Sequence, residues 1–181
     1  LSRAAALRPG DAAVRAAQSR LADARRAQRI DGLMQQASAA VADERWDAAA
    51  QHYQAVLAED AHRAEAQAGL RMAQPRAALA AQMHTLISQP QRLYAPAVQA
   101  EAEQLLDSAQ ALAPAGPRLR GQISALQAQL AAARTPVAVR LTSDGATEVT
   151  VYRVGDQGRF TDRQLQLLPG RYIAVGARRG Y

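Results

Sequence analysis

Ala37-Ser38-Ala39-Ala40-Val41-Ala42-Asp43-Glu44-Arg45-Trp46-Asp47-Ala48-Ala49-Ala50-Gln51-His52-Tyr53-Gln54-Ala55-Val56-Leu57 carries the clearest structural pattern in the chain. It reads as the end of one helix, a polar break, and a second helix with Trp46 just ahead of it. Upstream, Val14, Ala17, Leu21, Ala24, Ala27, Ile30, Met34, Ala37 and Val41 recur at three- and four-residue spacing. That recurrence predicts one long amphipathic helix over roughly 12–42, with Gly32 as a weak point. Downstream, Leu70, Ala77, Met83 and Ile87 predict a second long helix from about Ala64 to Ser88. Pro75 lacks an N–H and clashes with the preceding turn, so a kink is expected near Gln74. Two shorter helices follow. One runs from about Ala97 to Ala113 with Val98, Leu105, Leu106 and Leu112 facing in, and the other from Pro117 to Arg134 with Leu119, Ile123, Leu126 and Leu130 on one face.

The helical part repeats itself. Ala6-Leu7-Arg8-Pro9, Ala58-Glu59-Asp60-Ala61 and Ala111-Leu112-Ala113-Pro114 are comparable helix ends, and they recur after 52 and 53 residues. The middle unit resembles a tetratricopeptide repeat, with Ala37, Trp46, Ala49, Tyr53 and Val56 at that family's small and aromatic packing positions. Ala61 stands where the family closes with Pro, a residue that Pro9 and Pro114 supply elsewhere. The family's period is ~34 residues. The excess here is about five whole helical turns, which lengthens a helix without rotating its apolar face. The resemblance implies elongated helical hairpins stacked in an array, with the Pro117–Arg134 helix as its cap. An uninterrupted coiled coil or a plain bundle is the alternative. Pro9, Pro90, Pro96, Pro114 and Gly116-Pro117 argue for repeated reversals.

Composition changes near Thr135-Pro136. Of 45 Ala, 41 lie in residues 1–134 and 4 in residues 135–181. The first part is rich in strong helix formers, and its Ala lets antiparallel helices approach towards the lower end of the usual ~8–10 Å. The second is rich in Val, Thr, Tyr and Gly. Two domains are expected: helical over 1–134 and β over 135–181. Val137, Val139 and Leu141 alternate with polar neighbours, and Ser143-Asp144-Gly145 signals a turn. A second strand is expected over about Glu148–Val154, then a turn at Gly155-Asp156-Gln157-Gly158. A third centres on Gln164–Leu168, Pro169-Gly170 turns the chain, and a fourth covers Arg171–Val175. Four such strands make a small antiparallel, sandwich-like module.

Leu167-Leu168-Pro169-Gly170-Arg171-Tyr172, with the later Arg179-Gly180-Tyr181, resembles PEGA-type and carboxypeptidase-regulatory-like β-modules of bacterial envelope proteins. The Pro-Glu-Gly-Ala tetrapeptide itself is missing, and Ser143-Asp144-Gly145-Ala146 stands at the corresponding turn. The resemblance covers about 45 residues. It implies a periplasmic protein, tethered to the inner membrane by a segment outside this chain. The chain opens on Leu1-Ser2-Arg3-Ala4 without an initiator Met and stops at Gly180-Tyr181, where one more strand is expected. It therefore reads as a piece of a longer protein, and the missing strand would leave an edge for a second copy.

Catalytic chemistry finds little footing. The chain has no Cys, which excludes disulfides, thiolate catalysis and thiolate metal sites. His52, His62 and His84 are not spaced as metal ligands on one helix face. Glu101 and Glu103 diverge on their helix and cannot share a proton. Gly155–Gly158 lacks the Lys-Ser/Thr and helix of a phosphate loop, and no G-x-S-x-G elbow occurs. No apolar run reaches the ~18 residues of a membrane span. No enzyme activity, cofactor or metal is expected.

The formal net charge is +6, with all 22 basic residues Arg. Arg25, Arg26 and Arg29 cluster on the first long helix, and Arg178 and Arg179 near the end; Arg45 and His52 flank Trp46 and Tyr53. These seven are the candidate partner-binding residues. The excess divides evenly, 15 Arg against 12 acids in 1–134 and 7 against 4 in 135–181. That even division, and the lack of stacking aromatics, weakens a nucleic-acid reading. The expected function is a non-enzymatic scaffold or adaptor for protein or peptide partners, in an envelope or transport-associated complex. The alternatives are an Arg-mediated binder of an anionic polymer, cell wall or nucleic acid, and a regulatory domain of a larger signalling protein.

Overall fold

The computed structural model describes residues 12–112 and 115–178. Among these residues, five α-helices precede two small antiparallel sheets, and the change from helix to strand falls between Ala133 and Val137. The chain divides into two compact units after Ala81.

In the first unit, α1 (Ala12–Ala42) and α2 (Trp46–Glu59) form a hairpin, and the first part of α3 (Ala64–Ser88) packs with them. The hairpin turn is a Schellman cap. Glu44 N–H donates to Val41 O at 3.0 Å and Arg45 N–H to Ala40 O at 2.8 Å, closing the orphan carbonyls of α1. Glu44 occupies the left-handed position at φ 53°, where helices usually place Gly. The core is built mostly from small residues: Ala37, Ala40, Ala49, Ala50, Ala66 and Ala73, with Ile30, Tyr53 and Val56 as its larger members. Small side chains bring the helices close, and Tyr53 fills the space that remains.

The long stripe on α1 is covered over only part of its length. Burial begins at Ile30, and Ala24 and Ala27 are exposed, contrary to expectation. The cause is a difference of length. α1 spans 31 residues and α2 14, so at 1.5 Å per residue α2 lies along about 21 Å of a ~46 Å helix. Contact runs back from the turn and ends where Glu59, at the close of α2, meets Arg29. α3 stays helical through Pro75. The Arg76 guanidinium donates to Met72 O at 3.2 Å in the turn that the proline disturbs.

The second unit takes the end of α3, a 3₁₀ turn (Pro90–Tyr94), α4 (Pro96–Ala111), α5 (Pro117–Ala133) and the strands. Pro at the start of α4 and α5 suits the first helical turn, where no N–H partner exists. Met83, Leu86, Leu93, Leu105, Leu106, Leu126 and Leu130 are buried. Side-chain amides tie the helices together: Gln99 Nε2 donates to Leu93 O at 2.8 Å and Gln129 Nε2 to Ile87 O at 2.9 Å. Arg134 closes α5 onto α4, donating to Gln99 Oε1 at 3.0 Å and Glu103 Oε1 at 2.7 Å.

Five strands follow among the described residues, where four were expected. β1 (Val137–Thr142) pairs with β4 (Asp162–Leu167), Val137 opposite Leu167 and Thr142 opposite Asp162. β2 (Glu148–Val151) lies between β3 (Gly155–Arg159) and β5 (Ala174–Ala177). The Gly155–Gly158 segment, read from sequence as a turn, is strand β3. The reversal comes three residues earlier, at Tyr152-Arg153-Val154, where Val154 N–H donates to Val151 O at 3.0 Å. The glycines serve a bulge, with Gly158 at φ 66° and the register shifting between Val149 and Thr150. Gln157, the extra residue, is buried and donates to Gly155 O at 3.1 Å. The expected turn at Asp144 is present: its carboxylate accepts Ala146 N–H at 2.9 Å and Thr147 N–H at 2.8 Å.

Candidate binding groove

Within the second unit, a groove of about 940 Å³ opens between the 3₁₀ turn and start of α4 on one side and the strand ends on the other. Gln91, Tyr94, Ala95 and Pro96 form the helical wall. Tyr152 and Arg153, from the β2–β3 turn, and Gly170, Arg171 and Ile173, leading into β5, form the other.

Local pairing explains this second wall. The β2–β5 ladder matches Val151 with Ala174, and Tyr152 N–H donates to Ile173 O at 2.9 Å one step further. Tyr152 and Ile173 are therefore cross-strand neighbours on one face, where side chains interact directly. They remain 59% and 55% exposed, and Tyr94 across the groove 44%. Below them the Tyr172 hydroxyl donates to Leu168 O at 3.0 Å, holding the Pro169-Gly170 reversal that presents Arg171. Arg153 sits at φ 72° in the third position of its turn, a conformation that favours Gly.

The module's charges are otherwise paired. Arg140 donates to Asp162, Arg159 to Glu148 at 3.3 Å and Arg178 to Asp144 at 3.1 Å. Arg163 is spent on Gln157 and the Phe160 ring, 5.5 Å from its guanidinium carbon. Asp156 accepts Gly158 N–H at 2.9 Å. Among the described residues, Arg153 and Arg171 alone of the module's arginines have no side-chain partner.

The residues singled out from sequence lie elsewhere. Arg29 makes a two-pronged pair with Glu59, both contacts at 3.1 Å, and Arg26 approaches the same carboxylate at 3.9 Å. This hydrogen bond with Arg29 lowers the Glu59 pKa and raises that of Arg29. Arg25 is exposed on the same helix. Arg45 pairs with Asp43 at 3.1 Å, and His52 is half-buried on α2. Arg178 pairs with Asp144, whose carboxyl is held down to about 2, chiefly by the backbone N–H groups of Ala146 and Thr147. Arg179 lies outside the described residues, as do Pro9 and Pro114. None of the seven lines the groove as described.

Sequence reasoning missed Arg153 and Arg171. Arg171 sits inside a motif read for its turn, and Arg153 in a segment expected to be strand. Their shared feature, the absence of a carboxylate partner, exists only once the other pairs form.

No group of three or more His, Asp or Glu placed to hold a metal ion occurs among the described residues. No described helix is long and apolar enough to cross a membrane. No protein family, curated protein or solved structure matches the chain.

Proposed function

We propose that this chain is a non-enzymatic interaction scaffold whose partner seats in the groove of the second unit. The observation that carries this reading is the set of large apolar side chains left wet along it: Tyr94, Tyr152 and Ile173 are 44–59% exposed. Such surface gains roughly 25 cal/mol per Å² when a partner covers it, and concentrated apolar patches mark interaction sites. In the same proposal, the α1–α2 hairpin is a tetratricopeptide-like unit with a lengthened first helix. The five strands are a sandwich-like module of the PEGA type. The resemblance of Leu167–Tyr172 to envelope modules supports a periplasmic place, tethered to the inner membrane through a segment outside this chain, in an envelope or transport complex. Carboxylate partners on Arg26, Arg29, Arg45 and Arg178 favour protein partners over an anionic polymer.

The test is capture of partners by the intact protein from envelope extract at moderate salt. A protein should be retained, and lost with Tyr152→Ala/Ile173→Ala. The reading fails if no protein is recovered, or if capture falls steeply with salt as polyanion binding does.

A further inference from the structure

We propose that the groove binds an acidic, extended peptide segment that also carries an apolar side chain; this rests on the scaffold reading above. Residues 135–178 contain four acids. Asp144, Glu148 and Asp162 are taken by Arg178, Arg159 and Arg140, and Asp156 turns onto its own backbone. The two arginines left without a partner among the described residues, Arg153 and Arg171, line the same groove, and no described Asp or Glu lines it with them.

A guanidinium offers a planar fork of donors that matches a carboxylate in two-pronged fashion. Tyr152 and Ile173 line the groove with the two arginines, and Tyr94 and Pro96 line its helical side. Those walls offer a purely charged polymer nothing, whereas an aliphatic or aromatic side chain would be covered on both sides. The volume, about 940 Å³, reaches the upper end of the ~300–1,000 Å³ of small-ligand pockets and accommodates several residues of chain.

Backbone strain supplies an independent sign. Arg153 adopts a left-handed conformation that Gly would take at no steric cost. Strained turn positions cluster at ligand clamps, because there the side chain is required despite its backbone.

The experiment uses an array of short labelled peptides of equal apolar content, graded from acidic to basic, probed with the intact protein. Binding should rise with negative charge and fall ~10-fold or more for Arg153→Gln/Arg171→Gln, the equivalent of about one lost charged contact. Thermal melting of the variant should match the parent, since neither side chain has a partner to lose among the described residues. Binding that ignores peptide charge, or survives both substitutions, overturns the proposal. So does equal competition by inorganic polyphosphate, which would show that charge alone is recognised. If peptide binding fails but capture from extract persists in the double variant, the scaffold reading stands and this partner chemistry falls. If capture from extract fails altogether, both fall.

Discussion

A Cβ on Gly69 would stand 2.3 Å from the Cζ of Tyr53 and 2.5 Å from both Cε atoms. The ring of α2 lies flat against the bare backbone of α3, and the buried tyrosine uses the space that any side chain at 69 would occupy. Gly69→Ala should therefore destabilise the first unit by about 1–3 kcal/mol, the usual range for overpacking. Combining it with Tyr53→Leu should recover part of that loss, because the shorter side chain withdraws from the contact. Urea denaturation of the two single variants and the double variant measures the coupling. Strict additivity would contradict the packing described here.

Trp46 and Arg76 form a second bridge between α2 and α3. The guanidinium carbon lies 5.3 Å from the indole centroid, within cation–π range, and both residues are half-buried. A double-mutant cycle with Trp46→Leu and Arg76→Gln should return a coupling of about 0.5–1 kcal/mol. A coupling near zero would mean that the pair is adjacent without interacting.

Asp144 carries a pH dependence of known sign. Its folded pKa is held at about 2 by the N–H groups of Ala146 and Thr147, below the ordinary value of 3.8. A depressed carboxyl adds stability that is fully present above the unfolded value and is lost as pH falls through the folded one. Melting temperature should thus decline between about pH 4 and pH 2, and Asp144→Asn should flatten that part of the profile. The Asn variant should also be less stable at neutral pH, since its amide oxygen is a weaker acceptor for the two N–H groups. An unchanged profile in the variant would remove Asp144 as the source.

Arg153→Gly should separate stability from recognition. At φ 72° the arginine bears a steric cost of about 1–2 kcal/mol that glycine avoids, partly offset by glycine's greater freedom when unfolded. The variant should melt at or above the parent temperature while losing affinity for acidic peptides. Destabilisation with intact peptide binding would reverse both parts.

The Arg29–Glu59 pair is open to solvent, with side chains 56% and 31% accessible. Glu59→Gln should leave the melting temperature nearly unchanged at moderate salt, because water and ions screen such pairs. A large drop would show that the end of α2 depends on it.

The helical segments, the first strand and the point where helix gives way to strand were legible in the sequence. Those features are local. Three- and four-residue apolar spacing over 12–42, Pro at the first turn of α4 and α5, and alternation in Val137–Thr142 all act on near neighbours along the chain. The Ala excess foretold a core of small residues, and the aromatic at position 53 foretold its larger member. Tertiary structure alone decided how much of α1 is covered, since that depends on the length of the helix laid against it. It also decided that Gly155–Gly158 is a bulged strand, because glycine is compatible with either state until a partner strand supplies the hydrogen bonds. The same holds for charge. Arg25, Arg26 and Arg29 stand out in sequence because they are close together, yet Glu59, 30 residues from Arg29, engages the last two. Arg153 and Arg171 stand 18 positions apart and become a pair only when the β2–β5 ladder draws them to one groove. An arginine's availability is set by which carboxylates fold towards it, and pairings between distant segments leave no mark on local sequence.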